Sequence, residues 1–200
     1  MAQPERYDIL VLGSGTGGKL AAWHMAQSGR RTASIECKWI GGACPNVACM
    51  PSKNEIASAR VAYLLRHAAE YGWTISPGVI DMAVVRKRKR EMVEAQVAKH
   101  LENYKASGAE LIMGSGRFVG PRTIEVRLND GGTRVLAGDQ VLINVGTHAR
   151  ALMCPASKQP NRSRISRLSS LVTCLHIWSC SAAAMSVSSW HKPTAASAAA

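Results

Sequence analysis

At 200 residues the chain has room for one domain of ordinary size. Its 46% hydrophobic content, 17 glycines and 19% charged residues are globular values, which exclude wholesale disorder and a collagen-like repeat. Twenty-five Lys and Arg against 13 Asp and Glu leave a charge of +12, so nucleic acid and anionic membranes must be weighed as partners.

No run approaches the ~20 apolar residues of a spanning helix, and no membrane partner is expected. Met1 to Arg6 carry no apolar export segment. Six cysteines are too few for a stapled secreted mini-domain. These features predict a cytoplasmic protein whose paired cysteines are redox-active or metal-binding.

Tyr7–Leu12 is a short apolar run of the kind that forms a buried parallel strand. Gly17–Ser28 follows with Leu20, Ala21, His24 and Met25 at helical spacing and Gly29 as a stop. Arg31–Glu36 is a second strand, which completes a βαβ unit. Between the first strand and its helix, Gly13-Ser14-Gly15-Thr16-Gly17-Gly18 satisfies G-x-G-x-x-G. Gly13 permits the tight turn, Gly15 lets backbone approach a pyrophosphate, and Gly18 allows close helix–strand packing. The helix mouth then offers free N–H groups to phosphate oxygens. Glu36 stands 21 residues after Gly15, where a carboxylate can accept hydrogen bonds from a ribose. Dinucleotide binding is the expectation.

The run from Gly41-Gly42-Ala43-Cys44 to Cys49-Met50-Pro51-Ser52-Lys53 holds two cysteines at C-x4-C. A regular helix would set them ~7.5 Å apart along its axis and rotate them by ~140°. A disulfide needs Cα atoms ~4.4–6.8 Å apart, so a bond requires the chain to turn between them. Pro45 suits a first helical position, which puts Cys44 at a helix mouth where the dipole lowers a thiol pKa. Inert buried thiols and metal ligation are the alternatives. No second Cys/His pair stands nearby to complete a zinc site, which favours redox chemistry and no metal.

Two helices are expected over about Cys44–Glu70 and Met82–Lys105. Four strands follow at Ala109–Val119, Thr123–Leu128, Thr133–Ala137 and Val141–Val145, with Asn129-Asp130-Gly131-Gly132 as a hairpin turn. The basic run from Arg86 to Arg90 is flanked by Val85, Met92, Val93, Val97, Leu101 and Tyr104, and so reads as the solvated face of an amphipathic helix. No interleaved aromatics support base stacking, and no nucleic-acid partner is expected. His24, His67 and His100 read as packing or surface residues, and Cys37 as a free thiol.

Composition breaks near residue 150. Residues 151–200 contain no Gly, Asp, Glu, Tyr or Phe, and 21 of these 50 are Ser or Ala. Five bases there meet no acid, which leaves +7 for residues 1–150. With no helical or alternating period, the segment reads as a low-complexity, disordered tail.

The strand, the Gly13–Gly18 loop, Glu36 and the Gly41–Lys53 run together resemble class I pyridine nucleotide-disulfide oxidoreductases. That family includes dihydrolipoamide dehydrogenase, glutathione reductase and mercuric reductase. The likeness covers about residues 5–150. It implies an α/β fold over residues 1–150, a Rossmann-like, three-layer FAD-binding domain whose parallel sheet carries a small antiparallel β-meander. It further implies FAD along Gly13, Ser14, Gly15, Thr16 and Gly18, with Glu36 on its ribose and Gly42, Ala43 and Gly146 beside it. Cys44 would be the interchange thiol that meets substrate, Cys49 the thiol next to the flavin, and Lys53 a neighbour of the isoalloxazine. Electrons would pass from NAD(P)H through FAD to the Cys44–Cys49 disulfide, then to a small-molecule disulfide, thiol-bound or metal-ion substrate.

There are departures. Pro45, Ala48 and Met50 replace residues more usual in the dithiol motif, and Asn144-Val145-Gly146-Thr147 stands for the commoner Ala-Thr-Gly. The second metal-binding module of mercuric reductases is absent, so mercury is not assigned. The family's NAD(P) domain, closing flavin segment and dimerisation domain are not found in residues 151–200. A homodimer is therefore expected of an intact parent and not of this chain. Two readings of the chain itself follow, a poorly active enzyme or a remnant that at most binds FAD. A shifted reading frame would account for the tail. Residues permitted by the genetic code around Trp178–Pro193 then include Val-Leu-Gly-Gly-Gly-Tyr-Val-Gly-Leu-Glu-Leu-Ala-Gln-Ala, a strand running into G-x-G-x-x-G. This predicts a one-base insertion or deletion near codon 150.

Overall fold

The apolar run behind the N-terminus forms β1 (Glu5–Leu12), which leads through the glycine loop into α1 (Thr16–Gln27) and then β2 (Thr32–Glu36). All five residues of β2 are buried, as expected of a strand covered on both faces. The computed structural model describes residues 3–147 apart from 75 and 77. The expected tail of residues 151–200, with its disorder and change of frame, lies outside the described residues.

β1 pairs in parallel with β2, from Ile9 opposite Thr32 to Leu12 opposite Ile35. Its other edge pairs in parallel with β5 (Thr133–Ile143), from Glu5 opposite Leu136 to Leu12 opposite Ile143. β3 (Glu110–Gly120) continues the parallel sheet beside β2 as far as Met113, then from Gly114 onward pairs antiparallel with β4 (Thr123–Leu128). β4 in turn pairs with the first residues of β5. The two 11-residue strands therefore belong to both the parallel sheet and the meander, and the five strands close into a barrel.

Thr133–Ala137 and Val141–Val145 were expected as separate strands and are one, ending at Ile143. The apparent break is Gly138, whose missing side chain lets β5 cross Leu10. A Cβ there would lie 2.9 Å from Leu10 Cγ. The expected turn at 129–132 is present, with Leu128 N–H donating to the Gly132 carbonyl at 3.1 Å.

Alternation along the strands separates two cores. Leu10, Ala33, Ile35, Ile112, Ile124, Val126 and Leu136 fill the barrel, and Ile9, Val11, Ala22, Tyr104 and Ala109 pack between sheet and helices. Ser34, between the inward Ala33 and Ile35, instead accepts a hydrogen bond at 3.1 Å from Tyr104 of α4 (Met82–Ser107). Each fully buried aliphatic side chain contributes about 1.5–3 kcal/mol. Beside β1, Arg134 binds Glu5 through two nitrogens (2.6 and 2.8 Å) and Glu110 at 2.8 Å, fastening the starts of β1, β3 and β5. That cluster lies at the opposite end of the strands from the glycine loop.

Two helix faces differ from expectation. In α1 the buried residues are Gly18, Lys19 and Ala22, while Leu20 is 54% exposed and His24 lies in solvent. Gly18 must lie against the Gly13 carbonyl, and that contact sets the rotation of the whole helix. In α4 the buried line runs through Lys89, His100, Tyr104 and Ser107, and Leu101 is exposed. The basic run is therefore not simply a solvated face. Lys89 is buried against Glu55 at 2.7 Å, and Arg88 donates to the Asn54 carbonyl and the Ser58 hydroxyl at 2.6 Å each, so the run clamps α4 to α3 (Cys49–Arg66). Asp81 caps α4, accepting from Ala83 and Val84 N–H at 2.7 and 3.3 Å, a contribution of about 1 kcal/mol.

Candidate functional site

The site gathers at the C-terminal ends of the parallel strands β1, β2 and β5, the end at which parallel α/β sheets bind ligands. At the loop after β1, a Cβ on Gly18 would collide with the Gly13 carbonyl oxygen and lie 2.7 Å from the Asn144 amide nitrogen. No side chain caps α1, and Thr16 and Gly17 are exposed at its mouth, so its first N–H groups face outward. This donor set fits a pyrophosphate.

Ser14 and Glu36 form a buried latch. Glu36 Oε2 accepts from Ser14 N–H at 2.9 Å and from the Ser14 hydroxyl at 2.6 Å. Its Oε1 accepts from Lys38 and Trp39 N–H at 2.8 and 3.0 Å. Burial pushes the carboxyl up, but the hydrogen bonds from Ser14, Lys38 and Trp39 outweigh it and hold the group below its ordinary value. Four donors fill a carboxylate's acceptor capacity. The Ser14 hydroxyl is committed as well, receiving Gly41 N–H at 3.0 Å. The expected ribose ligand is thus first of all the anchor of the loop between β2 and the cysteines.

That loop turns back on the glycines. Gly42 has φ 82° and lies so close to Gly15 that a Cβ would stand 2.7 Å from Gly15 Cα. No residue but glycine fits both conditions. Asn46 Nδ2 fastens the turn to the Ile40 and Gly42 carbonyls at 2.9 and 2.8 Å.

The expected helix over 44–70 is broken where the sulfurs need it. A single turn, α2 (Ala43–Asn46), is followed by Val47 and Ala48 in non-helical conformations and then α3, with a 3-10 turn at Ala68–Tyr71. The break places Cys44 and Cys49 close enough for the two free thiols to act on one another. The neighbouring Cys49 thiol and burial leave the Cys44 thiol raised above its ordinary value, against the lowering expected at a helix mouth, although the ammoniums of Lys53 and Lys19 act to lower it. Lys53 stands one turn beyond Cys49 on α3 and is exposed. Cys49 and Ala43 are also exposed.

Of the expected residues, Gly13, Ser14, Gly15, Thr16, Gly18, Glu36, Gly42, Ala43, Cys44, Cys49 and Lys53 converge on this end of the sheet. Gly146 is exposed two residues past Asn144, with open space around it. Asn144 is the side chain that sequence reasoning passed over. Its Nδ2 donates to the Gly13 carbonyl at 3.4 Å, and it lies 3.1 Å from where a Cβ on Gly15 or Gly17 would stand. Its only signal was the departure from Ala-Thr-Gly. Lys19 and His100 were also missed as a pair. They meet at 2.6 Å, and His100 packs against Gly41.

Comparison with known proteins agrees with this geometry. The pyridine nucleotide-disulphide oxidoreductase profile matches residues 7–174. A dihydrolipoyl dehydrogenase of Mycobacterium bovis is 35% identical over 144 residues, covering 72% of this chain and 31% of that protein. Leghemoglobin reductase of Vigna unguiculata is 32% identical over 148 residues, 72% of this chain and 28% of that one. The Cu(II) complex of the HOCl-induced flavoprotein disulfide reductase RclA from Escherichia coli superposes with a TM-score of 0.63 over 76% of this chain and 31% of that one. At 24% identity this last is a likeness of fold. The chain thus spans about a third of the length of the curated relatives it matches. Since the family profile runs over most of its residues, the chain belongs to the pyridine nucleotide-disulphide oxidoreductases.

Proposed function

We propose that this chain is the dithiol-bearing FAD domain of an NAD(P)H-dependent disulfide oxidoreductase acting on a small-molecule disulfide or dithiol. The observation that carries the reading is the break at Val47–Ala48 beside the glycine loop, which sets the Cys44 and Cys49 thiols next to one another. FAD, held by the α1 mouth, the Gly13–Gly18 loop, Gly42 and Ala43, would supply two-electron exchange with NAD(P)H. Glu36 would be the residue that offers a ribose hydroxyl an acceptor, by sharing an oxygen that the Ser14 latch already uses.

The chain's residues perform thiol–disulfide exchange. The Cys44 thiolate attacks one sulfur of a substrate disulfide and expels the other as a thiolate, which takes up a proton. Cys49, already alongside, then attacks Cys44 in the mixed disulfide and releases the second thiol. One substrate disulfide and two cysteine thiols thus become two substrate thiols and the Cys44–Cys49 disulfide. The Lys53 and Lys19 ammoniums favour the thiolate form. Run backward, the same steps oxidise a dithiol. Thiol-bound and metal-ion substrates use the same nucleophile and are the alternative substrate classes.

A second reading, a non-catalytic remnant that at most binds FAD, draws on the apolar end of β5. Ile143 and Val145 are 63% and 66% exposed beside the glycine loop. A homodimer is proposed for an intact parent only.

The full 200-residue chain separates these readings. After treatment with a small disulfide, peptide mapping should find Cys44 and Cys49 bonded, and gel filtration after mixing with FAD should leave flavin on the protein. Flavin retention without a Cys44–Cys49 bond supports the remnant, and failure of both refutes the assignment.

A further inference from the structure

We propose that Lys19, held in place by His100, is the buried cation that stabilises the Cys44 thiolate, with His100 as its positioning residue. The inference rests on the reading of Cys44 as a nucleophile and adds a source of its activation that lies within this domain.

Lys19 directly follows Gly18 in the first turn of α1, a place where a cation opposes the helix dipole and where lysine side chains ordinarily reach solvent. Here the residue is 9% exposed, and among the described residues no carboxylate forms an ion pair with it. Its contact is His100 Nε2 at 2.6 Å. Lys19 donates to that nitrogen, which leaves the imidazole proton on Nδ1. His100 is 7% exposed, and its Nδ1 is buried without a partner. The ring edge abuts the loop that carries the thiol. A Cβ on Gly41 would stand 2.6 Å from His100 Cε1 and 3.2 Å from Pro45 Cγ. α1, α4 and the Cys44 turn are thereby joined through two basic side chains.

A buried lysine with only a neutral imidazole beside it tends to lose its proton unless an anion lies within reach. Burial does push the Lys19 ammonium and the His100 imidazole down, and Cys44 is the group that pulls Lys19 back up. Coulombic attraction is reciprocal, so Lys19 acts to lower the thiol by the same interaction, against the Cys49 thiol and the burial that leave Cys44 raised overall. The groups facing Cys44 are Cys49 and Lys53 of α3 and Lys19 of α1. Those facing Lys19 are His100 of α4 and the Trp23 ring, 5.9 Å from its ammonium. Trp23 also flanks His100, with ring centroids 6.0 Å apart. Lys19 is thus the cation approaching Cys44 from the helix side, distinct from Lys53 on the cysteines' own helix.

The test is the pH profile of Cys44 alkylation by iodoacetamide in the full chain, localised by peptide fragmentation and read without flavin or NAD(P)H. Lys19→Met should slow alkylation about tenfold at neutral pH and move the profile upward by about one unit. Lys19→Arg, which keeps the charge, should stay within about twofold of the wild type. His100→Leu should shift the profile in the same direction as Lys19→Met, and His100→Gln, which still offers an acceptor, should restore it. Circular dichroism confirms that each variant is folded, and the His100 pair decides the matter if Lys19→Met is not. A Lys19→Met or His100→Leu profile that superimposes on the wild type overturns the proposal, as does an equal shift in Lys19→Met and Lys19→Arg. A wild-type chain that forms no Cys44–Cys49 disulfide instead overturns the redox reading beneath it.

Discussion

Replacing Glu36 by glutamine tests the latch between the glycine loop and the cysteine loop. The carboxylate accepts four hydrogen bonds, two on each oxygen, and the side chain is 7% exposed. Glutamine keeps one oxygen and sets an NH2 group against the other two donors. Hydrogen bonds to a charged acceptor contribute about 1.5–3 kcal/mol each, and relaxation recovers part of the loss. Glu36→Gln should therefore cost about 3 kcal/mol at neutral pH, a large share of the roughly 5–15 kcal/mol that hold a domain folded. The measurement is urea unfolding followed by far-ultraviolet circular dichroism. Because the folded carboxyl sits below its ordinary 4.5, its contribution is fully present above that value and is lost as pH falls through the folded value. The gap between wild type and variant should close correspondingly in acid. A loss under about 0.5 kcal/mol at neutral pH, or a gap unchanged in acid, refutes the latch.

Gly18→Ala should cost about 2–3 kcal/mol in the same assay and release bound flavin, because the atom it strikes is the Gly13 backbone oxygen. Gly78→Ala, with open space around it, should stay within about 0.5 kcal/mol. Lys89→Met leaves the Glu55 carboxylate buried without its ammonium and should cost about 3 kcal/mol, whereas adding Glu55→Met should recover most of that. In α1, Leu20→Ser should change stability by less than about 0.5 kcal/mol, while Ala22→Leu should destabilise by about 1–3 kcal/mol. The reverse ranking would mean that the helix is rotated as its apolar spacing alone suggests.

The features legible from residues alone share a short range. The β1–loop–α1–β2 unit, the hairpin at 129–132 and the need for a turn between Cys44 and Cys49 each follow from neighbours within a few positions. The glycine spacing of the loop and Glu36 at the end of the second strand belong to the same class, and with the dithiol they carried the family assignment.

What tertiary contact decided is of longer range. The rotation of α1 is set by Gly18 on Gly13, which turns Leu20 outward against its hydrophobicity. Gly138 reads as a strand end until Leu10 is seen beneath it. Lys89 reads as a solvated face and His100 as no more than a packing or surface residue, because the partners that bury them, Glu55 and Lys19, lie 34 and 81 residues away. Asn144 reaches the glycine loop 131 residues before it only because β5 runs parallel to β1. Local propensity is a property of a few adjacent residues. Which polar side chain is buried against which depends on how distant elements stack, and that is where the cations around Cys44 were assembled.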